Sequence, residues 1–298
     1  MKNTSNTFFL FAIPALIWGS TWFVIKFQLG SVDPLYSVSY RFALGGILLM
    51  LYIKSKGLSI KFSGRIHFMM LTQGVFLFGL NYWLVYLSEK YLPSGLVAVT
   101  FSTLIFMNII FGTLFLKSPL NRKVIVGALL GLAGTAVIYK PEIESFGLGQ
   151  DNVKGLLLCL TGVVFASWGN IASARNQKLK IPVVQSNAFG MLYGSLFMFL
   201  IALFTGKTIN FDFSFSYLSS LAYLSVFGSV IAFGSYVTLI GKVGADKAAY
   251  AILVIPVVAL IISTIFEGYE PSLYTFSGVA LILIGNLLAL RVKKSRSS

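Results

Sequence analysis

The chain of 298 residues has one cysteine, Cys159, one histidine, His67, and only nine acidic residues. A single cysteine forms no internal disulfide, and one histidine beside it leaves no cluster for zinc or iron, so neither metal nor redox cofactor is implied. Charge of either sign is scarce: 11% of the chain is charged and 57% hydrophobic, against about 25% and 45–50% in soluble globular chains. Too little polar surface remains to coat a water-soluble domain, which excludes a soluble enzyme. No Walker A motif occurs, so ATP is not hydrolysed on this chain. The 23 Lys and Arg, giving a formal charge of +14, sit in short runs between apolar stretches. Nucleic-acid binding needs them on one soluble face, so nucleic acid is not an expected partner. No Ala-x-Ala type cleavage site follows the first apolar run, Phe8 to Ile25, which therefore reads as a retained membrane span.

What the chain does have is long apolar runs. Crossing a hydrocarbon core of about 30 Å takes about 20 residues at 1.5 Å each. Ten acid-free runs approach that length, near 8–26, 35–53, 66–88, 93–116, 123–139, 154–174, 184–205, 217–241, 247–266 and 273–290. They do not alternate and are too long for barrel strands, so the expected fold is an all-α integral membrane protein with ten transmembrane helices. Seventeen Lys and Arg fall in one set of alternate loops and termini and five in the other, with Arg41 inside the second span. By the positive-inside rule both termini are cytoplasmic. Of the acids, only Asp246 falls on the cytoplasmic side.

The sequence also repeats itself. Trp18-Gly19 aligns with Trp168-Gly169 at an offset of 150, and the run from Gly127 to Gly134 with that from Gly278 to Gly285 at 151. Each half, 1–145 and 146–298, then holds five spans; five is odd, so the second half enters from the opposite side. Inverted repeats of this kind are characteristic of secondary transporters, whose site lies near the midplane between the halves.

Several motifs carry a resemblance. They are Trp18-Gly-Ser-Thr-Trp22, Tyr40-Arg-Phe42, Tyr-Leu-Pro-Ser-Gly-Leu-Val-Ala at 91–98, Ile-Pro-Val-Val-Ala-Leu at 255–260, Glu270-Pro271 and the glycine-rich tenth span. Together they resemble the EamA-type family of the drug/metabolite transporter superfamily over nearly the whole chain. The resemblance implies ten helices in two inverted five-helix repeats around a central cavity, and substrates that are small metabolites such as amino acids, amines or nucleoside-like compounds, often exported. It also points to a bacterial inner membrane. The first half departs from the pattern, with Ser118-Pro119 where the second has Glu270-Pro271, and Ile105 or Phe106 where the second has Pro256.

Candidate binding residues follow from polarity inside apolar spans. Arg41 is a charge deep in a span, costing at least about 2.5–3.5 kcal/mol if uncompensated. Either its guanidinium faces the cavity and binds a carboxylate or phosphate, or it snorkels or pairs with Glu89 or Glu267. Trp18 and Trp22 share one helix face beside Ser20 and Thr21, with Trp168 and Asn170 their counterparts by the repeat; they read as a cavity wall for apolar or cationic groups. Asn81, Tyr82 and Tyr86 in the third span and Tyr236 in the eighth offer uncharged hydrogen bonds, to a solute or between helices. Ser102 and Asn108 in the fourth are weaker candidates. Pro14 and Pro256 free backbone carbonyls and are candidate kinks or gates. Gly127, Gly131, Gly134, Gly278 and Gly285 form small-residue faces for helix packing, with a homodimer face as a second use.

The expected function is a secondary carrier of small metabolites, amino acids or related compounds, in the export direction. A channel-like facilitator and an intramembrane lipid-modifying enzyme are the alternatives; the enzyme needs paired acid/base groups, and His67 and Asp246 sit at span ends without evident partners.

Overall fold

The computed structural model describes residues 2–116, 122–138, 140, 151–243 and 250–290, and among them every regular element is helical. Ser118-Pro119 and Asp246 lie outside the described residues. Ten spans follow in chain order: α1 (Lys2–Ile25), α2 (Pro34–Ser55), α3 (Gly64–Ser88), α4 (Ser94–Leu116), α5 (Arg122–Ile138), α6 (Asp151–Lys178), α7 (Val183–Phe204), α8 (Phe215–Tyr223 continued through Ala232–Val243), α9 (Tyr250–Phe266) and α10 (Leu273–Leu290). Seven are long and apolar enough to cross a membrane on their own described length; α5, α9 and α10 are shorter, at 17, 17 and 18 residues, at the lower end of the range of about 17–25 residues that spans a bilayer, with local thinning making up the rest. Large apolar side chains such as Ile47, Leu51, Leu114, Leu129, Leu157, Leu196 and Ile261 cover the outside, as lipid requires. The chain is a multi-pass membrane protein.

Local chemistry sets the ends. Asp33 caps α2, its carboxylate accepting from the Leu35 amide at 2.9 Å with Pro34 at the first helical position. Beyond the other end Gly57 takes φ +63° and the Leu58 amide reaches back to the Ile53 carbonyl at 3.0 Å.

Equivalent helices of the two halves pack on each other. On the α2–α7 seam Ser39 Oγ donates to the Ser195 carbonyl at 2.9 Å. On the α5–α10 seam the glycines meet: a Cβ on Gly134 would strike the Gly278 carbonyl, and one on Gly285 the Gly127 carbonyl. The glycine faces are therefore occupied within the chain, with Gly131 under the Phe106 ring. With α2, α5, α7 and α10 paired off outside, α1, α3, α4, α6, α8 and α9 are left around the centre.

Two of the central helices change pitch at matching places. α3 runs as a π-helical turn over Val75–Leu80 and α8 over Leu224–Ile231. Such turns are uncommon and gather at functional sites. Each shifts the backbone ladder, and each has a carbonyl held by a side chain. The Leu77 carbonyl accepts from Asn81 Nδ2 at 3.1 Å; its counterpart 151 residues on, Gly228, accepts from the Trp18 indole Nε1 at 3.0 Å.

Candidate functional site

Inside the six central helices lies a cavity of about 240 Å³. α1 contributes Trp18, Thr21 and Trp22; α3 contributes Phe78, Asn81 and Tyr82; α4 contributes Phe101, Ser102, Ile105 and Asn108; α6 contributes Ala166 and Asn170; α8 contributes Phe233; α9 contributes Ile252, Ile255 and Pro256. Both halves thus build the wall, and no lining side chain is charged.

The aromatic part is rigid. Trp18 meets Phe233 edge-on at 5.0 Å between centroids and Tyr236 at 5.4 Å, while its indole N–H is held by Gly228. Trp22 leans on Phe101 at 5.2 Å. The polar part is uncharged: Thr21, Tyr82 and Ser102 stand beside the amides of Asn81, Asn108 and Asn170, and Asn170 Nδ2 donates to Asn108 Oδ1 at 3.3 Å across the halves.

Of the residues singled out in the sequence, Trp18, Thr21, Trp22, Asn81, Tyr82, Ser102, Asn108, Asn170 and Pro256 come together in this wall. Arg41, Tyr86, Trp168, Tyr236 and Pro14 are not part of it. Arg41 is only 2% exposed and lies behind Tyr82, its Cζ 4.6 Å from the Tyr82 centroid and 5.2 Å from that of Phe42; the ring faces hold it as a cation–π clamp. It neither snorkels nor reaches the cavity, and its Nε and Nη1 have no hydrogen-bond partner. Tyr86 is fully buried one turn beyond Tyr82, its hydroxyl beside the Arg41 guanidinium. Tyr236 backs the Trp18 ring from behind. Pro14 is buried within α1, away from the wall. Trp168 departs furthest: it is 41% exposed and packs outward on Phe76 and Phe111. α6 faces the cavity through Ala166 and Asn170, and a residue midway between two that share a face lies on the opposite side of a helix.

The lining groups not read as candidates in the sequence include Phe78, Phe101, Phe233, Ile252 and Ile255. Three were within reach of the repeat, since offsets of 150 from Ser102 and Ile105 give Ile252 and Ile255, and 151 from Tyr82 gives Phe233. Phe101 carried no signal, being one apolar residue in an apolar run. His67 does have a partner, accepting or donating at Nδ1 with the Tyr193 hydroxyl at 2.8 Å. Among the described residues no group of three His, Cys, Asp or Glu could hold a metal ion.

A helical membrane bundle built from inverted halves around an uncharged cavity defines a transporter fold. The EamA-like transporter family matches the chain twice, over residues 6–140 and 153–291. The chain belongs to that family. It is 26% identical over 297 residues to the uncharacterized transporter YvbV of Bacillus subtilis, covering 99% of this chain and 94% of that one. It is 29% identical over 282 residues to the uncharacterized inner membrane transporter YedA of Escherichia coli K12, covering 94% and 88%. A solved structure, described only as a protein crystal structure, superposes with a TM-score of 0.68 at 20% identity over 96% of each chain, a likeness of fold.

Proposed function

We propose that this chain is a secondary carrier that moves one small metabolite at a time, an amino acid or related compound, by alternating access between the halves 1–145 and 146–298. One observation carries this reading: the cavity sits on the seam between the halves, with aromatic and amide side chains of both in its wall. Its volume falls just below the range of about 300–1,000 Å³ usual for drug-sized ligands, which suits a small metabolite better than a lipid or peptide. The tryptophan and phenylalanine rings suit an apolar or flat side group, and the amides suit its polar end. Membership of a transporter family, with no acid/base pair among the lining residues, weighs against the lipid-modifying enzyme. The excess of Lys and Arg on the N-terminal side supports a reading with both termini in the cytoplasm and the protein in an inner membrane, and export is the direction we assign. The other end of the bundle, where α3 meets α4 and α9 ends, is then the outer end. Pro256, inside α9 and in the wall, is the kink best placed to serve as a gate.

The test is counterflow in proteoliposomes loaded with single unlabelled amino acids, amines or nucleosides, following entry of the matching labelled compound without an ion gradient. Saturable accumulation of one compound is expected, with Trp18→Ala raising KM most for bulky members of its series. Flux that never accumulates against the unlabelled pool would identify a channel-like facilitator and overturn the carrier reading.

A further inference from the structure

At the outer end one cluster of ionisable groups is absorbed by neither the cavity nor the seams. Lys26, in the turn after α1, donates from Nζ to the carbonyls of Glu89 at 2.5 Å and Leu92 at 2.7 Å, and lies 3.7 Å from Glu267 Oε1. Glu267, just past α9, accepts at Oε2 from the amide and hydroxyl of Ser94, at 2.9 and 2.7 Å, where α4 begins. One lysine therefore clasps the ends of α1, α9 and the α3–α4 connection together, directly over the cavity.

Glu89 sits inside this clasp and is not used by it. Lys26 binds its backbone and not its carboxyl; the side chain is 1% exposed, and neither Oε1 nor Oε2 has a hydrogen-bond partner. Around it stand Lys26 from the turn after α1, Glu267 from the end of α9, Arg41 from α2, Tyr86 on the helix that precedes it, and Cys159 from α6. Arg41, a buried cation facing it, is held on the Tyr82 and Phe42 rings instead of paired to it. An ionised carboxylate so buried requires partners; a neutral acid does not.

We propose that Glu89 is a proton-binding site: its carboxyl holds a proton while the outer end is sealed and releases it to the outer water when the Lys26 clasp opens. Burial pushes the Glu89 acid well above its ordinary value, with Lys26 opposing, Glu267 reinforcing and Arg41 opposing. Exposed to water it returns to the ordinary value near about 4.3. Between that value and the raised one, sealing takes up a proton, so acid favours the sealed form and alkali the open one. Below about 4.3 both forms are protonated and the dependence ends. The chemistry is one O–H bond made or broken at a carboxyl oxygen, with water as the exchange partner. The site stands apart from the solute, while its link to opening rests on the alternating-access reading.

Two measurements on the full chain test it, and neither needs a solute. Infrared difference spectra of reconstituted protein at neutral pH should show a protonated-carboxyl carbonyl band that disappears in Glu89→Gln; identical spectra would overturn the loaded state. Ala98→Cys, one turn below Ser94 in the cavity wall, made in a Cys159→Ala background, reports outer opening through labelling of intact cells by an impermeant thiol reagent. The labelling rate of this parent divided by that of the same protein carrying Glu89→Gln should rise at least about twofold from about pH 5 to about pH 8, which a sealed-form acid only about tenfold weaker than the free one already gives. A ratio that stays flat would overturn the link to opening. Failure of counterflow alone would leave both readouts standing and would strike only the carrier reading.

Discussion

Arg41 shows how differently a buried charge behaves from a buried ring. Its stem is packed in α2 and its guanidinium is covered by Tyr82 and Phe42, yet two of its nitrogens bond nothing. Its backbone carbonyl, by contrast, is satisfied by Ser225 Oγ at 3.1 Å from the π turn of α8. Two accounts of this site differ in what a substitution does. If Glu89 were ionised and Arg41 its counter-ion, removing the arginine would strand a buried charge and cost about 3–5 kcal/mol. If Glu89 is neutral, Arg41→Met keeps the stem's packing, removes unpaired N–H groups worth about 1–3 kcal/mol of desolvation, and should leave stability unchanged or raised. Thermal unfolding of detergent-solubilised protein decides between them. We expect an equal or higher midpoint; a drop of several degrees would mean that a carboxylate depends on the guanidinium.

Among the helices, what was legible in the sequence was what lipid enforces. The ten apolar runs match the ten spans to within a few residues because charge and turn formers mark where the hydrocarbon ends, as Asp33-Pro34 does for α2. The faces of the helices were less legible. Trp18 and Trp22 could be placed together because four residues return to the same side, but the repeat carries sequence position and not rotation, so Trp168 turned outward while Asn170 stayed in. The π turns were invisible: no proline or glycine pair marks Val75–Leu80, and the side chains that satisfy their carbonyls, Asn81 and Trp18, look in sequence like binding residues alone. Close approach of the backbones just before the π turn of α3 is a further consequence. A Cβ on Gly74 would overlap the Gly190 backbone in α7, where no rotamer change relieves it. Gly74→Ala should therefore destabilise by about 3 kcal/mol or force α3 and α7 apart. Gly234→Ala, with nothing within 4 Å of the added carbon, should be neutral or gain up to about 1 kcal/mol of helix propensity. Loss of folded yield in both variants, and not in the first alone, would refute the backbone contact.

At the scale of the molecule the two halves exchange partners in a regular way: α2 with α7, α5 with α10, and the six remaining helices around one cavity. A pseudo-two-fold of this kind makes the two ends chemically distinct only through side chains that break it. Lys26, Glu89 and Glu267 gather at one end, and the basic loops at the other. That asymmetry has a direct consequence for orientation. Seventeen Lys and Arg lie in the loops and termini on the side of the N-terminus and five on the opposite side, and short basic loops are retained in the cytoplasm. A fluorescent-protein fusion, which matures only in the cytoplasm, should therefore be bright after Ser298 and dark when inserted in the α3–α4 connection at Lys90. An alkaline phosphatase fusion, active only outside, should give the reverse. The opposite pattern would place Glu89 against the cytoplasm, and proton release would then follow internal pH. An even number of spans fixes only that both termini share a side; the choice of side falls to the basic residues, so exchanging the charge of the α2–α3 loop residues Lys54, Lys56, Lys61 and Arg65 for neutral Gln should weaken the preference first in that hairpin.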